Sequence, residues 1–300
     1  MPRRIESLRT LQRTHCVSLI LLCCVSVLAP ARAQAPASPS TTPPGYHLVW
    51  SDEFNSPDGS LPDPAKWTYD LGGEGWGNEE LEFYTNHPQN AHVASGNLVI
   101  TAQKEVTPRP SGPPRQYTSA RIKTQNLFSQ VYGRFEARIK IPQGQGMWPA
   151  FWMLGDDIST VGWPRCGEID IMENIGKEPA AVHGSLHGPP DPASGKHTAD
   201  LTSTFSLPGN PHLYDDFHIY AVEWDPSAIR FFIDQTNYVT FTRAQWPRNA
   251  PWPFDHQFFL ILNLAVGGTW PGNPDPSTVF PQQMLIDYVR VYSRTPNANP

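Results

Sequence analysis

The stretch GEIDIMENIG, residues 167–176, places three acids, Glu168, Asp170 and Glu173, within six residues. Two carboxylates can divide one hydrolysis between them. One, ionised, attacks an anomeric carbon, while the other, protonated, gives its proton to the leaving oxygen. Both must then face the same side. In a regular strand Glu168 and Asp170 share a face and Glu173 points away. A β-bulge at Ile171-Met172 inserts one residue and returns Glu173 to the face of Glu168. The two glutamates are then about four strand steps apart, roughly 13 Å between Cα atoms. Side chains leaning toward each other cover ~7–8 Å of this, leaving roughly 5–6 Å between carboxyl groups. That gap is the separation of a retaining glycosidase rather than an inverting one. Asp170, lying between them, can hydrogen-bond to Glu168 and help separate the two titrations. The plain alternative is a solvated acidic face or a metal site. Against a solvated strand, Ile169 and Ile171 point the other way, toward a core.

Strands must carry these acids, because the periodicity of the chain is mostly two. In 133-GRFEARIKIP-142, Phe135, Ala137, Ile139 and Ile141 alternate with Glu136, Arg138 and Lys140. Segments 97–103, 217–224, 229–235, 258–266 and 284–293 have strand length and are rich in β-branched and aromatic residues. No window sustains an amphipathic 3.6-residue repeat over three turns. The chain's 33 prolines and 22 glycines suit many strands and tight turns. The expected fold is all-β: a jelly-roll sandwich of two antiparallel sheets. The run 258–266 is apolar on both faces and is expected inside the stack.

The first 33 residues read as a secretory signal peptide. Arg3, Arg4, Arg9 and Arg13 precede an apolar run, Val17 to Ala29, too short to span a bilayer, and Ala31-Arg32-Ala33 offers a cleavage site. A membrane anchor is the rival reading, and Arg3-Arg4 is a poor match to a twin-arginine signal. The expected destination is outside the cytoplasm, extracellular or periplasmic. Residues 34–45 form a Pro/Ser/Thr-rich tether, 46–293 a single catalytic domain, and 294–300 a C-terminal tail. The leader holds five of the 22 basic residues and one of the 28 acidic ones, leaving 17 against 27, a net charge of about −10. Such a chain has no basic patch for nucleic acid or an anionic membrane. A neutral polymer is compatible with it, and the chain is expected to act as a monomer. Cys16, Cys23 and Cys24 leave with the leader, so the mature chain keeps Cys166 alone. Nothing around that thiol activates it, and a small buried side chain is the expected role.

Trp148 and Trp152 are four apart in an expected strand, and Trp163 precedes the acidic strand. Aromatic faces suit the C–H faces of a pyranose, with core packing as the alternative. His183 and His187, also four apart, suggest zinc by spacing, but no third ligand stands beside them.

Across residues 46–293 the sequence resembles glycoside hydrolase family 16, and within it the bacterial laminarinase-like endo-β-1,3-glucanases. The resemblance is carried by GEIDIMENIG and by 146-GMWPAFWMLG-155. Supporting it are 48-LVWSDEF-54, 75-GWGNEELEFYT-85, 117-YTSARI-122, 183-HGSLHGP-189, 260-LILNLAVGGTWPG-272 and 285-LIDYVRVY-292. It implies a sugar-binding cleft on the concave face of the jelly roll. On matching positions it implies Glu168 as nucleophile, Glu173 as acid/base and Asp170 as the assisting carboxylate. It implies Met172 as the residue of the bulged motif, which lichenase-type members typically lack. Trp148, Trp152, Trp163, Asn78, Arg121, His187 and Asn263 match positions that line the cleft. Catalysis needs no cofactor, although many members bind a structural calcium on the convex side. Its matching positions are Glu53, the carbonyl of Gly96, and Asp287, with an ordinary surface ion pair as the alternative. The expected activity is a secreted retaining endo-β-1,3-glucanase. The alternatives are the same chemistry on mixed-linkage glucan or on a galactan such as agar, and a non-catalytic β-glucan-binding protein.

Overall fold

The computed structural model describes residues 42–296. The leader, most of the tether and the last four residues of the tail lie outside the described residues. The early strands are β1 (Tyr46–Asp52), β2 (Thr68–Asp70), β3 (Glu82–Tyr84), β4 (Ala91–Ala94), β5 (Asn97–Ala102) and β6 (Tyr117–Ser119). The central ones are β7 (Arg121–Lys123), β8 (Gly133–Lys140), β9 (Met147–Gly155), β10 (Glu168–Glu173), β11 (Ala181–Gly188) and β12 (Ala199–Ser206). β13 (His218–Trp224), β14 (Ala228–Ile233), β15 (Thr236–Thr242), β16 (Phe258–Val266) and β17 (Gln282–Arg294) complete them. One four-residue helix, α1 (Ile158–Val161), interrupts the β9–β10 connection. Among the described residues no helix is long and apolar enough to cross a membrane.

Two antiparallel sheets carry the architecture. One runs β12-β11-β10-β9-β16-β7-β2, and the other β15-β14-β13-β8-β17-β5-β4, with β1 also paired to β17. Their inner faces meet in one core. Phe151 and Met153 of β9, Ile169 of β10, Leu260 and Leu262 of β16 face Phe135 and Ile139 of β8, Val222 of β13 and Val291 of β17. Alternation accounts for this directly, since every second residue of these strands is apolar and turned inward. The outward residues of β8 are charged and tie neighbouring strands together. Arg134 bridges Glu136 at 2.8 Å and Glu223 at 3.0 Å, and Arg138 pairs with Asp287 at 2.9 Å.

All nine residues of β16 are buried, but its outer face is not covered by a third layer. Phe259 and Ile261 pack with Leu154 and Cys166 beneath Ile158 and Val161, a satellite cluster under the loop that carries α1. Further along the same face, Asn263 and Ala265 open into a cleft. Cys166 is buried, and burial pushes its thiol up to about 12, so it packs as a small apolar side chain. The strand expected to end at 293 continues to Arg294, which pairs with Tyr46.

Candidate active site

The acidic strand β10 is bulged. Against β9, Asp170 lies opposite Trp152 and Met172 opposite Phe151, so Ile171 is the extra residue. Against β11, Asp170 faces Ser185 and Glu173 faces His183, with the register shifted between them. Ile169, Ile171 and Met172 are all fully buried in the core, whereas Glu168, Asp170 and Glu173 line the cleft. The bulge thus keeps two consecutive apolar residues inward and all three acids outward. Gly167 leads into the strand at φ +76°, where a Cβ would press on Phe258 and Pro253. At the other end, a Cβ on Gly176 would collide with the Gly144 carbonyl.

The cleft has a volume of about 1100 Å³. All ten residues singled out for chemistry or sugar binding line it: Asn78, Arg121, Trp148, Trp152, Trp163, Glu168, Asp170, Glu173, His187 and Asn263. Three tryptophans present their N–H groups inward. Trp163 Nε1 donates to Glu168 Oε2 at 2.6 Å and Trp148 Nε1 to Glu173 Oε1 at 2.9 Å. Trp152 Nε1 donates to Asn263 Oδ1 at 2.7 Å, and Asn263 donates in turn to the Tyr84 hydroxyl at 3.1 Å. The Arg121 guanidinium lies between Trp152 and Trp76, 4.6 Å and 4.9 Å from their rings, and pairs with Asp70 at 2.9 Å.

The acids differ in electrostatic setting. Glu173 is pushed up to about 8, first by burial and then by the charge of Asp170, with the Trp148 hydrogen bond working the other way. Glu168 is also pushed well above the usual carboxylate range, by burial and then by Asp170, while the charge of His187 draws it back. Asp170 is buried, and His187 Nε2 lies 3.1 Å from its Oδ2. Burial works against a charge on His187, but hydrogen bonds to Asp170 and Asp200 outweigh it and push the imidazole up to about 11. His187 is therefore an imidazolium, a cation facing a pair of carboxylates.

The zinc spacing does not produce a zinc site. His183 Nδ1 meets Thr204 Oγ1 at 2.9 Å and its Nε2 meets Glu178 at 3.2 Å, while His187 bridges two aspartates. Among the described residues the one convergent group of three possible ligands is Glu168, Asp170 and His187.

The calcium positions fit a side-chain cation site poorly. Both oxygens of Glu53 are held by Arg290, at 2.9 Å and 2.7 Å, and Asp287 pairs with Arg138. A cavity of about 330 Å³ adjoins Glu53, but neither Gly96 nor Asp287 lines it.

Several cleft residues were not singled out in the sequence. Trp270 stands edge-on to Trp148 and His183, with centroids 5.3 Å and 4.9 Å away. Glu80 accepts from Asn78 and Tyr84, each at 3.2 Å, and stands beside the fully buried Glu82. Burial and then the charge of Glu80 push Glu82 well above the usual carboxylate range, while the Val266 N–H it accepts works the other way. Asp200, Thr202 and Thr204 of β12 line the far wall. Their signal was available: 199-ADLTSTFS-206 alternates, with Asp200, Thr202 and Thr204 on one face.

Comparison with known proteins agrees with this geometry. The family model for glycosyl hydrolases family 16 matches residues 78–290, and the chain belongs to that family. A beta-glucanase of Rhodothermus marinus is 45% identical over 83% of this chain and 86% of its own length. The glucan endo-1,3-beta-glucosidase A1 of Niallia circulans is 39% identical over 83% of this chain, which spans only 38% of that protein. The laminarinase catalytic domain of Thermotoga maritima superposes with a TM-score of 0.76 at 45% identity, covering 83% of this chain and 99% of that one.

Proposed function

We propose that this chain is a retaining endo-β-1,3-glucanase acting on laminarin-type β-glucans. The observation that carries the reading is the bulge in β10, which turns Glu168 and Glu173 into one cleft while setting them differently. A glucan chain lies along the tryptophan-walled cleft with one glycosidic oxygen beside Glu173. Glu173, protonated up to about pH 8, gives its proton to that oxygen as Glu168 attacks the anomeric carbon. The C–O bond to the leaving sugar breaks and a glycosyl ester forms on Glu168. Glu173, now ionised, takes a proton from water, which attacks the same carbon and releases Glu168. Glu168 must enter as the anion. The charge of His187, whose Nε2 lies 3.1 Å from Asp170, favours that anion against the burial that opposes it.

The test is a product profile on laminarin, curdlan, lichenan and agarose, with a Glu168→Ala control. Short β-1,3 oligosaccharides of retained anomeric configuration from laminarin are expected, and Glu168→Ala is expected to release none. Activity on agarose alone would overturn the substrate assignment, and inverted products would overturn the double displacement.

The expected secretion, with mature residue Gln34 first, is part of this proposal. N-terminal sequencing of protein exported from its producing cells tests it.

A further inference from the structure

The two histidines of β11 occupy equivalent places in the sheet and have different neighbours across it. In one row Glu173 of β10 faces His183, which faces Thr204 of β12. In the other, Glu168 faces His187, which faces Asp200. His183 meets a hydroxyl on β12, and burial holds its pKa below the ordinary histidine value although Glu178 opposes this. His187 meets a carboxylate. Its Nδ1 lies 2.6 Å from Asp200 Oδ1, and Thr198 Oγ1 donates to Asp200 Oδ2 at 3.0 Å. Both oxygens of Asp200 are thereby directed, although the side chain sits at the rim of the cleft. The other ring nitrogen of His187 lies 3.1 Å from Asp170.

We propose that Asp200 is a positioning residue for the catalytic acids: through His187 it fixes both the place and the positive charge of the group that faces Asp170 and Glu168. This rests on the retaining-glucanase reading of the cleft. The chain of contacts runs Thr198, Asp200, His187, Asp170 from the rim inward, and Glu168 converges with Asp170 and His187 at its inner end. A neutral His187 has one N–H and cannot donate to both aspartates. It would be left with an unpaired lone pair against a carboxylate, and the Glu168–Asp170 pair would lose its counter-charge. His187 is thereby assigned a role other than sugar binding, because both ring nitrogens are already engaged. The charged groups facing the ring are Asp170 and Glu168 from β10 and Asp200 from β12, with Glu173 further along β10 and Lys196 beyond Asp200.

The experiment compares the full chain with Asp200→Asn and Asp200→Glu. Asparagine keeps an oxygen for the His187 Nδ1–H and removes the charge alone. The His187 ring nitrogens are followed by NMR from about pH 5 to about pH 9, assigned against a His187→Gln spectrum, and kcat and KM on laminarin are measured over the same range. In the wild type His187 is expected to stay doubly protonated throughout. In Asp200→Asn it is expected to titrate within the range, and kcat at neutral pH to fall roughly tenfold with KM within about twofold. Asp200→Glu is expected to restore both. An unchanged His187 titration in Asp200→Asn overturns the proposal, as does a raised KM at unchanged kcat, the mark of a simple sugar contact. If laminarin is not hydrolysed at all, the glucanase reading fails while the NMR result still decides whether Asp200 sets the charge of His187.

Discussion

At the scale of single residues, the indole hydrogen bonds distinguish this site from a mere cluster of acids. Trp148 donates to Glu173, and that bond lowers a pKa that burial and Asp170 raise to about 8. The kcat/KM profile should therefore fall on the alkaline side with a midpoint near pH 8, where Glu173 loses the proton it must give. Trp148→Phe removes the donor and keeps an aromatic face, so its alkaline limb should move to higher pH. A limb that stays in place would show that another group sets it. Glu173→Gln should lower kcat roughly 10²–10⁴-fold. The same substitution should affect stability in the opposite sense. The folded chain holds the Glu173 proton up to about pH 8, the unfolded one only to about 4.5, so stability falls as pH rises through that window. Glutamine cannot ionise and escapes the loss. Thermal melts at pH 8.5 or so should put Tm of Glu173→Gln about 2–4 °C or more above wild type, with the difference vanishing near pH 4.

At the scale of the element, the bulge in β10 has two consequences, and only one was expected. It returns Glu173 to the cleft, as the spacing required. It also places Ile171 and Met172 together in the core, both fully buried. That burial decides what deleting Met172 would do. Deletion takes a whole side chain from a packed interior and turns either the core residues or Glu173 the wrong way. It should abolish hydrolysis and cost about 2–5 kcal/mol of stability. Met172→Leu conserves volume and register, so it should keep most activity and cost less than about 1.5 kcal/mol. Denaturant unfolding and laminarin assays on both variants separate register from packing. A deletion variant that hydrolysed laminarin normally would show that the bulge does not position Glu173.

At the scale of the whole molecule, the sheet opposite the cleft is tied by charged side chains whose partners lie far apart in sequence. Arg290 grips Glu53 with two bonds, and Arg138 holds Asp287. These pairs occupy the carboxylates that a calcium would use, so a bound ion would depend on backbone carbonyls such as that of Gly96. Comparing melts in millimolar calcium and after chelation tests this, and Tm is expected to differ by less than about 1 °C. A larger drop on chelation would show that calcium is held there despite the arginines. The loop 107–115 also finds its place at this scale. Arg109 and Arg115 bond to the Gly73 carbonyl and line a second hollow of about 790 Å³, which meets the cleft at Gly77.

Alternating residues named the faces of β8 and β10, and the odd spacing of three acids implied the bulge from sequence alone. The all-β class was legible for the same reason, since it depends on residue type and on a period of two along one strand; the family and most residues around the cleft were legible through the resemblance carried by GEIDIMENIG and GMWPAFWMLG. That period says which face a side chain takes and nothing about which strand lies beside it. Trp152 finds Asn263 across 111 positions of sequence, and His187 finds Asp200 across 13. Sheet order and register bring those pairs together. Only the tertiary structure could therefore decide that Trp148 and Trp163 donate to the two glutamates, that Glu53 belongs to Arg290, and that across the sheet one histidine of β11 meets a hydroxyl while the other meets a carboxylate.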